Sequence, residues 1–288
     1  VALPKKLTVA NMSIENKISA HYTHGDLLAA IESALFEMSK TVDTVTEKDL
    51  GPVGEFHIGG RIATDNLLDQ LAFTEQDHIL DIGCGIGGTA RHIASRLNNK
   101  VTGIDLTDEY ILVGKALTDW VGLGNHVQLH HGSALDLPFE DYMFDGAVML
   151  HVGMNIEDKA TLFKEAYRVL KPGANFGIYD VMQISHGELF YPIPWAENSS
   201  NSYLASPQQY LTLLKQANFI TCQETMRRYF ALDFFNTMQE RTQEGPPPLG
   251  LHTLMQDTVE IKIQNMIKNI KAGFISPFEI ISHKPLNT

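Results

Sequence analysis

The stretch Leu80-Asp81-Ile82-Gly83-Cys84-Gly85-Ile86-Gly87-Gly88 decides the fold, because an acidic residue at the end of a strand runs into a glycine-dense turn. Before it, His78, Ile79 and Leu80 read as a buried strand. After it, Ala90, Ile93, Ala94 and Leu97 recur at helical spacing across Thr89 to Leu97. Glycine accepts positive φ and has no Cβ, so backbone in this turn can approach a ligand, and the helix start behind it offers free N–H groups to an anion. The pattern G-x-G-x-G-G differs from the dinucleotide fingerprint G-x-G-x-x-G and leaves two cofactor classes open. Lys100 to Leu106 reads as a second strand ending in an acid. Asp105 follows the glycines by about 20 residues, the spacing of a carboxylate that reaches ribose hydroxyls.

Further blocks follow in a fixed order: His131-Gly132-Ser133-Ala134-Leu135-Asp136-Leu137-Pro138-Phe139, then Phe144 to Met149, then Ala166 to Gly173. With them the chain resembles the class I S-adenosylmethionine-dependent methyltransferases over roughly residues 57 to 180. The resemblance implies an α/β fold, a Rossmann-like seven-stranded methyltransferase sheet with helices on both faces, and S-adenosyl-L-methionine as cofactor. It implies cofactor contacts from Asp81, which can face a cationic group, from the turn Gly83, Cys84 and Gly85, and from Asp105, Leu106 and Leu150. Tyr22 is expected to reach the methionine part, the alternative being a surface tyrosine. In the family an acidic residue of the first of these blocks meets the adenine amino group, whereas this chain has Ser133 there. Ser133 can still accept a hydrogen bond, and the Ala134 N–H remains for adenine N1.

At 288 residues, 44% hydrophobic and 19% charged, the chain can bury one substantial core with additions, since domains commonly run ~100–200 residues. A net charge of −12 without a Lys/Arg cluster argues against a nucleic-acid partner and for a small-molecule methyl acceptor. No apolar run reaches the ~18–20 residues of a membrane span, and Val1-Ala2-Leu3-Pro4-Lys5-Lys6 lacks an apolar signal region, so a cytoplasmic location is expected. Cys84 and Cys222 are the two cysteines, and neither a disulfide framework nor a metal site is expected. A homodimer is left open.

Helices are expected at Ile14 to Ala20, His24 to Lys40 and Arg61 to Ala72, ahead of the first strand. They form a helical lid segment, 1–72, placed over the carboxyl edge of the sheet, where open α/β sheets bind ligands. The core is expected over 73–288 with cap insertions near 184–210 and 229–273, one domain overall. Lys171-Pro172-Gly173 reads as a turn closing the helix Glu157 to Leu170. A strand at Asn175 to Val181 and the aromatic, proline-rich stretch Gly187 to Ala196 follow. Then come a helix Pro207 to Ala217, a strand Phe219 to Arg227, helices Phe230 to Arg241 and Leu254 to Ala272, and a final antiparallel strand Ser276 to His283. Tyr191, Trp195 and Tyr203 could line the substrate pocket, where ring faces would hold a cationic amine with ~0.5–2 kcal/mol each, or could pack the cap. Phe234, Phe235, Met238, Met255 and Met266 read as packing, and His57 either caps a helix or lines a pocket.

Transfer of a sulfonium methyl needs alignment and water exclusion, worth ~7–11 kcal/mol. An amine can lose its proton to water afterwards, whereas a phenol or carbon acid needs a base. His151 is the best-placed candidate, unless it is a packed core histidine. His57-Ile58-Gly59-Gly60, the segment His151 to Lys159 and the late insertions resemble the sarcosine/dimethylglycine methyltransferase type. That implies N-methylation of a small amine such as sarcosine or dimethylglycine, ahead of C- or O-methylation of a quinone, phenol or natural product. A nicotinamide-dependent oxidoreductase would share the glycine turn, and a non-catalytic module would bind cofactor without turnover.

Overall fold

The computed structural model describes residues 13–241, 245 and 247–286, so the segment Val1 to Lys6 lies outside the described residues. One sheet contains β1 (His78–Ile82), β2 (Lys100–Asp105), β3 (Val127–His131), β4 (Phe144–Leu150), β5 (Leu170–Gln183), β6 (Ile220–Met226) and β7 (Ile275–His283). Their order is β3-β2-β1-β4-β5-β7-β6. The first five pair in parallel and β7 runs antiparallel to both β5 and β6, as the resemblance implied. The helices are α1 (Ile14–Tyr22), α2 (Leu27–Glu37), α3 (Glu47–Gly54), α4 (Gly60–Leu68), α5 (Gly88–Leu97), α6 (Asp108–Trp120), α7 (Lys159–Val169), α8 (Pro207–Gln216), α9 (Arg228–Arg241), α10 (Leu251–Met255) and α11 (Val259–Ala272). Among the described residues no helix is long and apolar enough to cross a membrane.

Successive strand residues point to opposite faces, and both faces are covered. Leu80, Ile82, Ala147, Met149 and Phe176 pack with Leu162, Phe163 and Ala166 of α7 and Leu214 of α8. Ile79, Val148 and Tyr179 pack on the other face with Ala63 and Leu67 of α4 and Ala90 and Ile93 of α5. Helix α4 therefore belongs to the sheet's packing layer, while α1 to α3, with α6 and α10, share a separate apolar cluster around Ile31, Leu50, Val53, Tyr110 and Leu254.

Three elements differ from their sequence expectation for physical reasons. Helix α3 contains Gly51, Pro52 and Gly54, poor helix formers, yet Thr46 and Asp49 form a capping box and Leu50 and Val53 are buried. The single helix expected from Leu254 to Ala272 is broken at Gln256, whose φ is 51°, and a short 3-10 turn separates α10 from α11. The turn expected at Lys171-Pro172-Gly173 is instead the irregular start of β5, where Gly173 has φ 85° and the pairing slips between Phe144↔Leu170 and Gly146↔Asn175.

Candidate active site

Strand order reverses between β1 and β4, and the crevice beyond the carboxyl ends of the strands at such a point is where ligands bind. The turn after β1 holds Gly83, Gly85 and Gly87 at φ 72°, 54° and 77°. A Cβ built at Gly85 meets nothing within 4 Å, so this backbone borders open space. The space is a cavity of about 240 Å³. Asp105 closes the turn from β2: one carboxylate oxygen accepts the Gly85 N–H at 2.9 Å and the other the Thr107 N–H at 2.9 Å. Each oxygen keeps a further lone pair, so the carboxylate can receive two adjacent hydroxyls.

Asp81 is buried, and one of its oxygens has no hydrogen-bond partner. Burial, reinforced by the charge of Asp105, pushes its carboxyl up to about 7. An orphaned buried carboxylate oxygen fits the ammonium of an amino-acid-bearing cofactor, and the diol-receiving Asp105 beside an open glycine turn fits its nucleoside; these residues would hold S-adenosylmethionine. An ammonium bound at Asp81 favours the ionised carboxyl, so binding displaces the proton that the free protein carries below pH 7. Titration with S-adenosylhomocysteine should therefore show affinity rising with pH between 6 and 7.5. Asp81→Asn should bind more weakly and lose the part of the rise that belongs to this carboxyl; an unchanged pH dependence would remove the ammonium contact.

Tyr22, Asp81, Gly83, Cys84, Gly85, Asp105, Leu106, Ser133, Ala134, Leu150 and His151 all line this one cavity. Tyr22 is held there by its hydroxyl, which donates to Asn155 Oδ1 at 3.1 Å. Burial pushes the Cys84 thiol well up, so it serves as wall and not as nucleophile. A second, smaller chamber of about 50 Å³ adjoins the first, and Tyr22, Phe56, His57 and His151 line both. Trp195 walls the second chamber and donates from Nε1 to Ser202 Oγ at 3.0 Å. Tyr191 and Tyr203 line neither: Tyr191 packs in the apolar cluster under the cap, and the Tyr203 backbone binds Met154 O and Lys159 Nζ.

The two histidines meet with ring centroids 6.0 Å apart. His151 sits at φ 55° just past β4, stacks on Tyr179, and leaves Nε2 without a partner. Burial, and then repulsion from His57, hold it well below the ordinary histidine range. Burial also lowers His57. His57 Nε2 lies 3.0 Å from both Gly60 O and Thr64 Oγ1, while the Thr64 hydroxyl donates to Glu55 at 2.6 Å. A carbonyl and an already committed hydroxyl can only accept, so Nε2 carries the proton and Nδ1 is left as the bare, basic nitrogen.

Among the described residues, Glu47, Glu55 and His92 have ligand atoms close enough to hold a metal. Arg61, however, donates to both carboxylates, so the cluster is an ion-pair support for the Glu55–Thr64–His57 chain.

Residues 80–178 match the family described as methyltransferase domain. The methyltransferase phqN of Penicillium fellutanum is 34% identical over 116 residues, which cover 40% of this chain and 36% of that protein. The sterol 24-C-methyltransferase of Eremothecium gossypii is 34% identical over 114 residues, 40% of this chain and 31% of that protein. The match thus spans about a third of the length of these relatives. Among solved structures, phosphoethanolamine N-methyltransferase 2 of Haemonchus contortus in complex with S-adenosyl-L-methionine superposes with TM-score 0.72 at 20% identity, covering 98% of this chain and 61% of that one. Geranyl diphosphate C-methyltransferase of Streptomyces coelicolor A3(2) gives 0.69 at 16% identity, covering 96% and 100%. The family match thus covers the core from β1 to β5, and the likeness to the solved structures shows that the whole chain shares their fold.

Proposed function

We propose that the protein methylates an apolar small molecule whose reacting atom sits at the meeting of the two cavities. The carrying observation is the lining of the second chamber. Ile58, Met154, Trp195, Phe235, Met255 and Met266 dominate it, and no Lys, Arg, Asp or Glu lines it among the described residues. A zwitterion such as sarcosine would leave its carboxylate there without a cationic partner, a costly burial. An apolar phenol, quinol or carbon acid would gain from the same walls. This favours C- or O-methylation over the N-methylation of a small amine implied by sequence.

When bound, S-adenosylmethionine supplies an electrophilic methyl for in-line displacement. Phe56 and Trp195 exclude water around it, and the Tyr22–Asn155 pair fixes one wall of the meeting point. His151 Nε2 and His57 Nδ1, both neutral at pH 7, are the groups able to take the proton that a phenol or carbon acid loses.

Methyl transfer from labelled cofactor should be compared across phenols, quinols and prenyl acceptors on one side and glycine, sarcosine and dimethylglycine on the other. Turnover restricted to the amines would overturn the apolar reading. With a productive acceptor and S-adenosylmethionine kept saturating at every pH, so that the Asp81 titration does not enter, kcat/KM for the acceptor should stay level from pH 8 down to 6.5 and fall only in more acidic buffer, because the lowered histidines protonate late. An acid limb that starts above pH 6.5 and survives replacement of both histidines would exclude them as the base.

A further inference from the structure

We infer that Glu15, on the N-terminal helix α1, recognises the adenine amino group of the cofactor, in place of a carboxylate from the loop after β3. The inference rests on the cofactor reading above and adds a residue to it. Two points fix the direction of the ligand. The transferable methyl must face the junction of Tyr22, His57 and His151, and the ribose belongs at Asp105 on the end of β2. The base then extends beyond β2 towards β3, where the cavity is closed by Gly132, Ser133 and Ala134 and, from the lid, by Glu15.

An exocyclic amine presents two N–H donors and calls for an acceptor, best an ionised one. Ser133 cannot fill that role alone. Its hydroxyl already accepts the Leu135 N–H at 3.0 Å and donates its own proton to Glu15 Oε1. The hydrogen bond thus orients the Glu15 carboxylate at the base end of the cavity, and its second oxygen remains to receive the amine. Besides Asp81 and Asp105, already assigned to the methionine and ribose ends, two acids border the cavity, but Asp158 is spent on capping α7 through Thr161, and Glu157 is exposed. Ser133 and Glu15 lie 118 residues apart, one in the core and one in the lid, so reading the base and seating α1 become one event.

The test is calorimetric titration with S-adenosylhomocysteine and with S-inosylhomocysteine, in which a ring carbonyl replaces the amine. Wild type should prefer the adenine compound. Glu15→Ala should weaken that compound about tenfold while leaving the inosine compound nearly unchanged, the size expected for one hydrogen bond to a charged group. Adding Ser133→Asp to Glu15→Ala should restore the preference by supplying the carboxylate from the core. Should Glu15→Ala keep the full preference for adenine, the inference falls while the cofactor reading stands. Should wild type bind neither compound, the cofactor reading falls and takes this inference with it.

Discussion

Asp105→Ala is expected to weaken S-adenosylhomocysteine binding by a few hundredfold. Hydrogen bonds from hydroxyls to a carboxylate contribute about 1.5–3 kcal/mol each, so losing two corresponds to about 3–4 kcal/mol even at the lower end. A second loss compounds the first. The carboxylate holds the N–H groups of Gly85 and Thr107, and its removal frees the glycine turn that has to lie against the ligand. Asp105→Asn should be nearly as damaging, because whichever oxygen becomes NH2 then faces a backbone donor. Calorimetry on both variants, with circular dichroism to show that the sheet persists, checks the assignment. An Asp105→Ala protein that binds as tightly as wild type would take the ribose away from β2.

What was readable in the chain is what is local. Asp81, the glycines, Cys84 and Asp105 sit within one strand-turn-helix-strand unit, where backbone geometry dictates residue type, and all line one cavity. Tyr22 could be placed only by resemblance, since its partner Asn155 is 133 residues away. The contribution of Glu15 was hidden for the same reason: on α1 it is one more polar position, and its meaning comes from Ser133. His57 was left between capping and lining, and it borders both cavities, while the N-cap of α4 is Gly59 without a side-chain cap. Aromatic composition misled around residue 190. Of Tyr191, Trp195 and Tyr203, only the tryptophan faces a chamber, because ring chemistry suits packing as well as binding and only tertiary placement separates them. Phe235, Met255 and Met266 read as packing, and they are buried, but they also wall the second chamber.

Gly88→Ala is the substitution expected to cost most in stability. Gly88 opens α5, and in an exposed helix interior alanine is favoured over glycine by about 1 kcal/mol, so propensity alone predicts a gain. Packing reverses the sign. A Cβ on Gly88 would lie 1.8 Å from the Gly54 carbonyl oxygen, 2.1 Å from its carbon and 2.6 Å from its Cα. These are backbone atoms at the end of α3, held by the buried Leu50 and Val53, and cannot swing aside as a side chain could. Overpacking of a close-packed contact typically costs 1–3 kcal/mol, occasionally more, and at about 3 kcal/mol the melting temperature of a chain this size falls by roughly 6–12 °C. The reciprocal change provides the control. A Cβ on Gly54 meets Gly88 Cα at 3.0 Å and the Arg91 guanidinium at 3.4 Å, distances that small shifts relieve, so Gly54→Ala should be much milder. Since Val53, Gly54 and Thr89 border the cofactor cavity, the displaced α3 in Gly88→Ala should weaken S-adenosylhomocysteine binding as well. Thermal melts and titrations on both variants check the asymmetry. Equal effects from the two alanines would show that α3 and α5 do not meet through this contact.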